Sequence, residues 1–216
     1  IHHAYSVGEH TIRTVCAAAG NLRENRFSAH ERSILRWTML LHDVEKPGTI
    51  SLGKDGQNHF YGHQEKGAQT AKRVLKNLKF DNDTLDTVVH LIRWHDYRFP
   101  PTPLGIRKAS AKVGKEYMKL LFEVKYADIC GKHPDIKAKL FEQLDEAKKL
   151  FKKMIDNEEC VSLKELKVSG KDLMAVGIKP GRRMGLILNK LLDAVIEEPS
   201  LNNKETLINM AISLNK

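Results

Sequence analysis

Ile136, Leu140, Leu144, Ala147, Phe151 and Met154 return at steps of three and four residues, the spacing that places side chains along one face of an α-helix. The same period recurs in Ile34, Leu35, Thr38 and Leu41, in Leu85, Val88, Val89 and Ile92, and in Met184, Leu188, Leu191 and Val195. No segment alternates apolar and polar residues convincingly enough to read as a strand, and there is no internal repeat or low-complexity run. A chain written in this one period has little choice but to pack helix on helix, so the predicted fold class is all-α.

The punctuation sets the elements. A helix from Tyr5 carries His10 and stops at Gly20. Ser28-Ala29-His30-Glu31 is a capping box that opens a helix ending at His42, closed by Pro47-Gly48. A polar loop over 49–58 leads to a helix begun by His63, with Gly67, Ala71, Val74 and Leu78 on the same face. Asp83 and Asp86 open the next helix; its wheel puts His95 and Asp96 at the edges of the apolar face and His90 on the solvated side. Pro100, Pro101 and Pro103 read as an extended loop, followed by one helix over 110–130 in which Asp128 extends the stripe of Tyr117, Leu121 and Val124. Asn157-Glu158-Glu159 reads as a junction. The expected organisation is a helical domain over 1–155 and a smaller helical region over 156–216.

The chemistry gathers around Leu41-His42-Asp43-Val44-Glu45-Lys46-Pro47-Gly48. Neighbouring helical side chains diverge by about 100°, so His42 and Asp43 reach a common point only from the edge of their helix. A buried carboxylate needs a salt-bridge partner or a metal ion, although a helix C-cap also accounts for an isolated His-Asp pair. His10, His63, His95 and Asp128 are the other polar residues facing inward, each on a different helix. Imidazoles mixed with carboxylates suit a first-row transition ion; thiolates would have indicated a closed zinc site. Asp128 equally reads as a surface residue at a fraying helix end. Lys46 reads either as a phosphate ligand or as a cation answering the helix dipole.

The composition narrows the partners. With 41% hydrophobic and 29% charged residues the chain reads as an ordinary water-soluble protein, and no apolar run approaches the ~20 residues that span a bilayer. Cys16, Cys130 and Cys160 are odd in number and far apart, which speaks against a disulfide framework and for a reducing, cytoplasmic setting. Ile1-His2-His3-Ala4 is neither an initiator methionine nor a signal peptide, so the chain is read as a fragment. The net charge of +9 favours a polyanion such as RNA, or simply a soluble basic surface.

The order His10, His42-Asp43, Asp128 resembles the HD superfamily of metal-dependent phosphohydrolases, in which four such residues hold one ion. His63 and His95 match positions that hold a second ion in two-metal members, with the aspartate of the doublet bridging both. The chain departs from those members at His95-Asp96, where two adjacent histidines are usual. Tyr5-Ser-Val-Gly-Glu-His10, His42-Asp-Val-Glu-Lys-Pro47, His59-Phe-Tyr-Gly-His63, His95-Asp-Tyr-Arg98 and Gly177-Ile-Lys-Pro-Gly181 are together similar to the C-terminal part of bacterial tRNA nucleotidyltransferases. Glu45 stands where that family has a glycine.

The resemblance implies an HD helical bundle and an RNA-contacting tail, downstream of a nucleotidyltransferase head that this chain lacks. It implies hydrolysis of nucleotide or RNA-terminal phosphoesters with Ni, Mn, Co, Fe or Zn, one ion or two, and tRNA as partner. Asp43, Lys46, His63 and His95 would be catalytic. A basic turn gives a second signal: Lys179, Arg182 and Arg183 flank glycine-freed amides at a helix start, which suits phosphate, or else a tight interhelical turn with solvated arginines. The alternative to an enzyme is a non-catalytic tRNA-holding module in which the His-Asp set is a structural remnant.

Overall fold

The computed structural model describes residues 5–21, 27–54, 56 and 58–215; the N-terminal tetrapeptide read above lies outside them. The architecture is all-α. Among the described residues the helices are α1 (Val7–Asn21), α2 (Ala29–Leu41), α3 (His63–Asn77), α4 (Asn82–Trp94), α5 (Pro103–Val113), α6 (Met118–Cys130), α7 (Pro134–Asp156), α8 (Gly170–Ala175), α9 (Arg182–Glu197) and α10 (Lys204–Asn215). None is long and apolar enough to cross a membrane.

The chain divides into two compact units that are not continuous in sequence. One takes 1–98 and 116–146, the other 99–115 and 147–216. In the first, α2 packs on α1, α4 and α6, while α3 lies along α4. Leu35, Met39, Leu91, Ile92, Leu121 and Val124 are buried at these contacts. In the second, α9 is the central helix, and Leu173, Ile178, Leu191, Val195 and Leu207 form its core with Ala211. Buried Arg107 of α5 caps the end of α9: Nε donates to the Ile196 carbonyl at 2.6 Å, Nη2 to Glu197 O at 3.2 Å, and Nη1 meets Glu159 at 3.0 Å.

Several sequence expectations are corrected. Two short strands do form, β1 (Ser51–Leu52) and β2 (Asn58–His59), paired antiparallel with Ser51 opposite His59. They cap a loop rather than build a core. The single helix expected over 110–130 is broken at Gly114, whose φ of 103° a helix cannot accommodate, and Pro103 opens α5 instead of ending a loop. Asp81, not Asp83, caps α4 by accepting from Thr84 N. Leu78 is exposed and Leu75 takes the buried position on α3. His90 is not solvated but half-buried, its ring 4.1 Å from that of Tyr117. The Ser28–Glu31 capping box forms as expected, with both reciprocal hydrogen bonds.

Candidate metal centre

Five elements of the first unit deliver the inward polar residues to one place. α2 ends at Leu41, and the chain leaves it in a series of tight turns that point His42 and Asp43 the same way. Both are buried, Asp43 to 1% exposure. α1 brings His10, α6 brings Asp128 one turn beyond Val124, and His95 follows the last turn of α4. His63 opens α3 immediately after Gly62, which holds a left-handed φ of 75°. Only glycine takes that conformation at no steric cost, so Gly62 sets the angle at which α3 starts.

All four imidazoles are oriented by the same device. Nδ1 of His42, His63 and His95 donates to the carbonyl three residues earlier, Met39 at 2.8 Å, Phe60 at 2.7 Å and Ile92 at 2.7 Å. Nδ1 of His10 donates to Gly131 O at 3.0 Å. A carbonyl oxygen can only accept, so each neutral ring turns the lone pair of Nε2 inward. There Nε2 of His10 and Nε2 of His42 lie 3.3 Å apart, as do those of His63 and His95.

Asp43 sits between the two pairs. Its Oδ2 is 3.2 Å from His42 and 3.5 Å from His10, and accepts from Lys46 Nζ at 2.7 Å. Its Oδ1 faces the other pair, 3.7 Å from His63 and 3.6 Å from His95. Those distances are too long for hydrogen bonds, and Oδ1 is buried without a partner. Asp128 approaches Nε2 of His10 at 3.2 Å and that of His42 at 3.9 Å, while Lys132 pairs with its outer oxygen at 2.7 Å. Two sets of donor atoms among the described residues are close enough to share an ion: His10, His42 and Asp43, and Asp43, His63 and His95.

The electrostatics favour anionic carboxylates. Burial alone would raise Asp43, but His42, His95 and Lys46 outweigh it and hold the carboxyl well below the usual carboxylate range. The same contest at Asp128 is won by His10, Lys132 and His42. Burial lowers the His63 imidazole, favouring its neutral, ligating form. Burial also acts to lower His10, yet Asp128, Gly131 and Asp43 together hold it raised.

The donor set thus fits a divalent transition ion. Inward-facing imidazole Nε2 atoms meet an ionised carboxylate, and its buried Oδ1 lacks a hydrogen-bond partner.

Glu45, singled out in the sequence where the family has a glycine, accepts through Oε1 from Thr70 of α3 at 2.7 Å. Other supporting groups escaped the sequence reading. Lys125 Nζ donates to the carbonyls of Tyr97 at 2.7 Å and His95 at 3.3 Å, and burial pulls its ammonium down to about 8. Gly131 was likewise missed. Lys132, four residues after Asp128, had a readable signal, the i,i+4 spacing of opposite charges. Lys179, Arg182 and Arg183 are all exposed, and Nη2 of Arg183 donates to the Asn215 carbonyl in the second unit.

Fold and centre together define a helical protein with a buried histidine–aspartate cradle suited to a divalent metal. The model of the family described as tRNA nucleotidyltransferase domain 2 matches residues 64–211, and the chain belongs to that family. His95 and Asp128 lie inside the match; His10, His42, Asp43 and His63 precede it. The chain is 28% identical over 170 residues to the A-adding tRNA nucleotidyltransferase of Deinococcus radiodurans, covering 74% of this chain and 37% of that protein. It is 28% identical over 166 residues to the CC-adding tRNA nucleotidyltransferase of Thermus thermophilus, covering 75% of this chain and 36% of that one. A 54-residue stretch, 24% of this chain and 13% of the relative, is 48% identical to the CCA-adding enzyme of Ligilactobacillus salivarius. The chain therefore spans little more than a third of the length of its longer-matching relatives.

Proposed function

We propose that this chain is a metal-dependent phosphohydrolase of the HD type, acting on nucleotide or RNA-terminal phosphoesters, tRNA ends included. The observation that carries the reading is the orientation of the cradle. Four Nε2 atoms face one another around Asp43, and its inner oxygen has no hydrogen bond. A buried carboxylate oxygen without a hydrogen bond is costly, and a cation would offset the cost.

His10, His42 and Asp43, with Asp128 beside them, would hold one ion, and Asp43, His63 and His95 would hold a second if one binds. Ni, Mn, Co, Fe and Zn all suit this donor set. A bound divalent ion supplies charge neutralisation for phosphoryl oxygens and a water of lowered pKa. The protein's own share is positioning. The backbone carbonyls hold each imidazole in one tautomer. Lys46, paired with Asp43 and 18% exposed, is placed to turn its ammonium to a substrate phosphate once other positive charge satisfies the carboxylate. Where they do not ligate, His63 and His95 would donate a proton to a leaving oxygen only after their inward Nε2 had taken one up, because Nδ1–H is held by a backbone carbonyl.

A second reading is favoured by the relatives, whose names describe nucleotide addition to tRNA. In it, the chain is a non-catalytic module that holds tRNA for nucleotidyl transfer, through Lys179, Arg182 and the neighbouring lysines. RNA binding that weakens steeply with salt and no phosphoester turnover would support it.

The deciding experiment measures metal content and hydrolysis of a nucleoside 2′,3′-cyclic phosphate with Ni²⁺, Mn²⁺ or Co²⁺. Asp43→Ala is expected to lose bound metal and reduce turnover at least 100-fold. Unchanged metal content and turnover in that variant would sink the assignment.

A further inference from the structure

The loop between the metal cradle's second and third ligand-bearing elements carries a feature the chemistry above does not use. Tyr61 is 75% exposed, and its ring lies parallel to that of His59, 4° between planes and 5.2 Å between centroids. His59 ends β2, so one member of the stack is fixed by the strand pairing that sets Ser51 against it.

The residue between them belongs to the wall of the cradle. The Phe60 carbonyl accepts from Nδ1 of His63, and the Phe60 ring lies 5.8 Å from Lys46 Nζ. Gly62, left-handed, turns the chain directly from Tyr61 into His63. The stacked pair therefore ends two residues before His63, and the residue between its rings lies beside Lys46.

We propose that Tyr61, backed by His59, is a stacking platform for the base of a nucleotide whose phosphate sits at the cradle, making it the specificity residue that separates nucleotides from other phosphoesters. This rests on the phosphohydrolase reading for the position of the phosphate. Base–aromatic stacking is sequence-tolerant and worth roughly a ten-fold change in affinity or more when the ring is removed. The platform thus selects for the presence of a base rather than for its identity.

The test measures equilibrium binding of adenosine 3′-monophosphate and of glycerol 3-phosphate to the full 216-residue chain with Mn²⁺, by calorimetry, in wild type, Tyr61→Ala and Tyr61→Phe. Tyr61→Ala is expected to weaken the nucleotide about ten-fold and leave glycerol phosphate unchanged, with Tyr61→Phe close to wild type. Equal weakening of both ligands, no weakening of either, or no binding of the nucleotide by wild type would each overturn the platform. Tyr61-dependent nucleotide binding in a wild-type chain that hydrolyses no phosphoester would refute the hydrolase reading and leave the platform standing.

Discussion

Gly131 shows how closely the cradle is built at the level of single atoms. Its φ of −81° is ordinary for any residue, so its glycine is explained by space. A Cβ there would lie 2.5 Å from Nδ1 of His10 and 2.7 Å from Thr14 Cγ2, while the Gly131 carbonyl accepts from that same Nδ1. Gly131→Ala is expected to push the His10 ring off its bond and weaken metal binding at the His10–His42 pair by at least ten-fold. Overpacking of this kind costs about 1–3 kcal/mol of stability. Metal titration beside thermal unfolding checks both; full metal affinity in the variant would show that His10 is not held this way. At the same scale, Asp43 serves both pairs, so its replacement should affect two ions where Asp128 affects one.

Helices act here chiefly through their ends. His42 and His95 follow the last turns of α2 and α4, and each Nδ1 binds a carbonyl that the helix leaves open. Lys125 of α6 satisfies two more carbonyls beyond α4, those of His95 and Tyr97. Lys125→Met should therefore loosen the approach to His95 and destabilise the chain by about 1–3 kcal/mol through the lost charged hydrogen bonds. Metal should be lost from the His63–His95 pair before the His10–His42 pair, and stepwise metal titration separates the two.

In the second unit Glu165 is the corresponding hub. Burial acts to raise its carboxyl, but Val161 N–H at 2.9 Å and Lys115 and Ser162 at 3.0 Å outweigh it and hold it lowered. A carboxyl lowered on folding contributes stability above its unfolded pKa, and that contribution is lost as pH falls through the folded value. Glu165→Gln is expected to cost about 1 kcal/mol at neutral pH, given that the side chain is about one-third exposed and screened by water. The difference from wild type should shrink as the pH falls below 4.5, the ordinary glutamate value. A difference that stays constant into acid would remove Glu165 as its source.

At the scale of the whole molecule the charge of +9 is the main lever. Exposed Lys179 and Arg182 stand before and at the start of α9, whereas Arg183 is bound to Asn215. On the tRNA-holding reading, the Lys179→Glu, Arg182→Glu double variant should weaken tRNA binding and flatten its salt dependence by about two counterions. Arg183→Glu should instead destabilise the second unit through the lost bond to α10. An unchanged salt slope in the double variant would remove this turn as an RNA contact.

The sequence by itself determined the helical class, because apolar residues recurring every three to four positions line one face of a helix. It also carried Asp128 onto the wheel that buries Leu121 and Val124, while it misplaced Leu78 and His90. The capping box and the Gly177–Gly181 turn were legible for the same local reason. Only the tertiary structure decided that His10 and His63 stand on opposite sides of Asp43, because the convergence of five elements depends on contacts far apart in sequence. It alone decided that Lys46 pairs with Asp43, that Arg183 is occupied, and that residues 99–115 belong with 147–216. Charge and spacing name a side chain's candidates for partnership. Which of them it meets is fixed by long-range packing, which a local period does not encode.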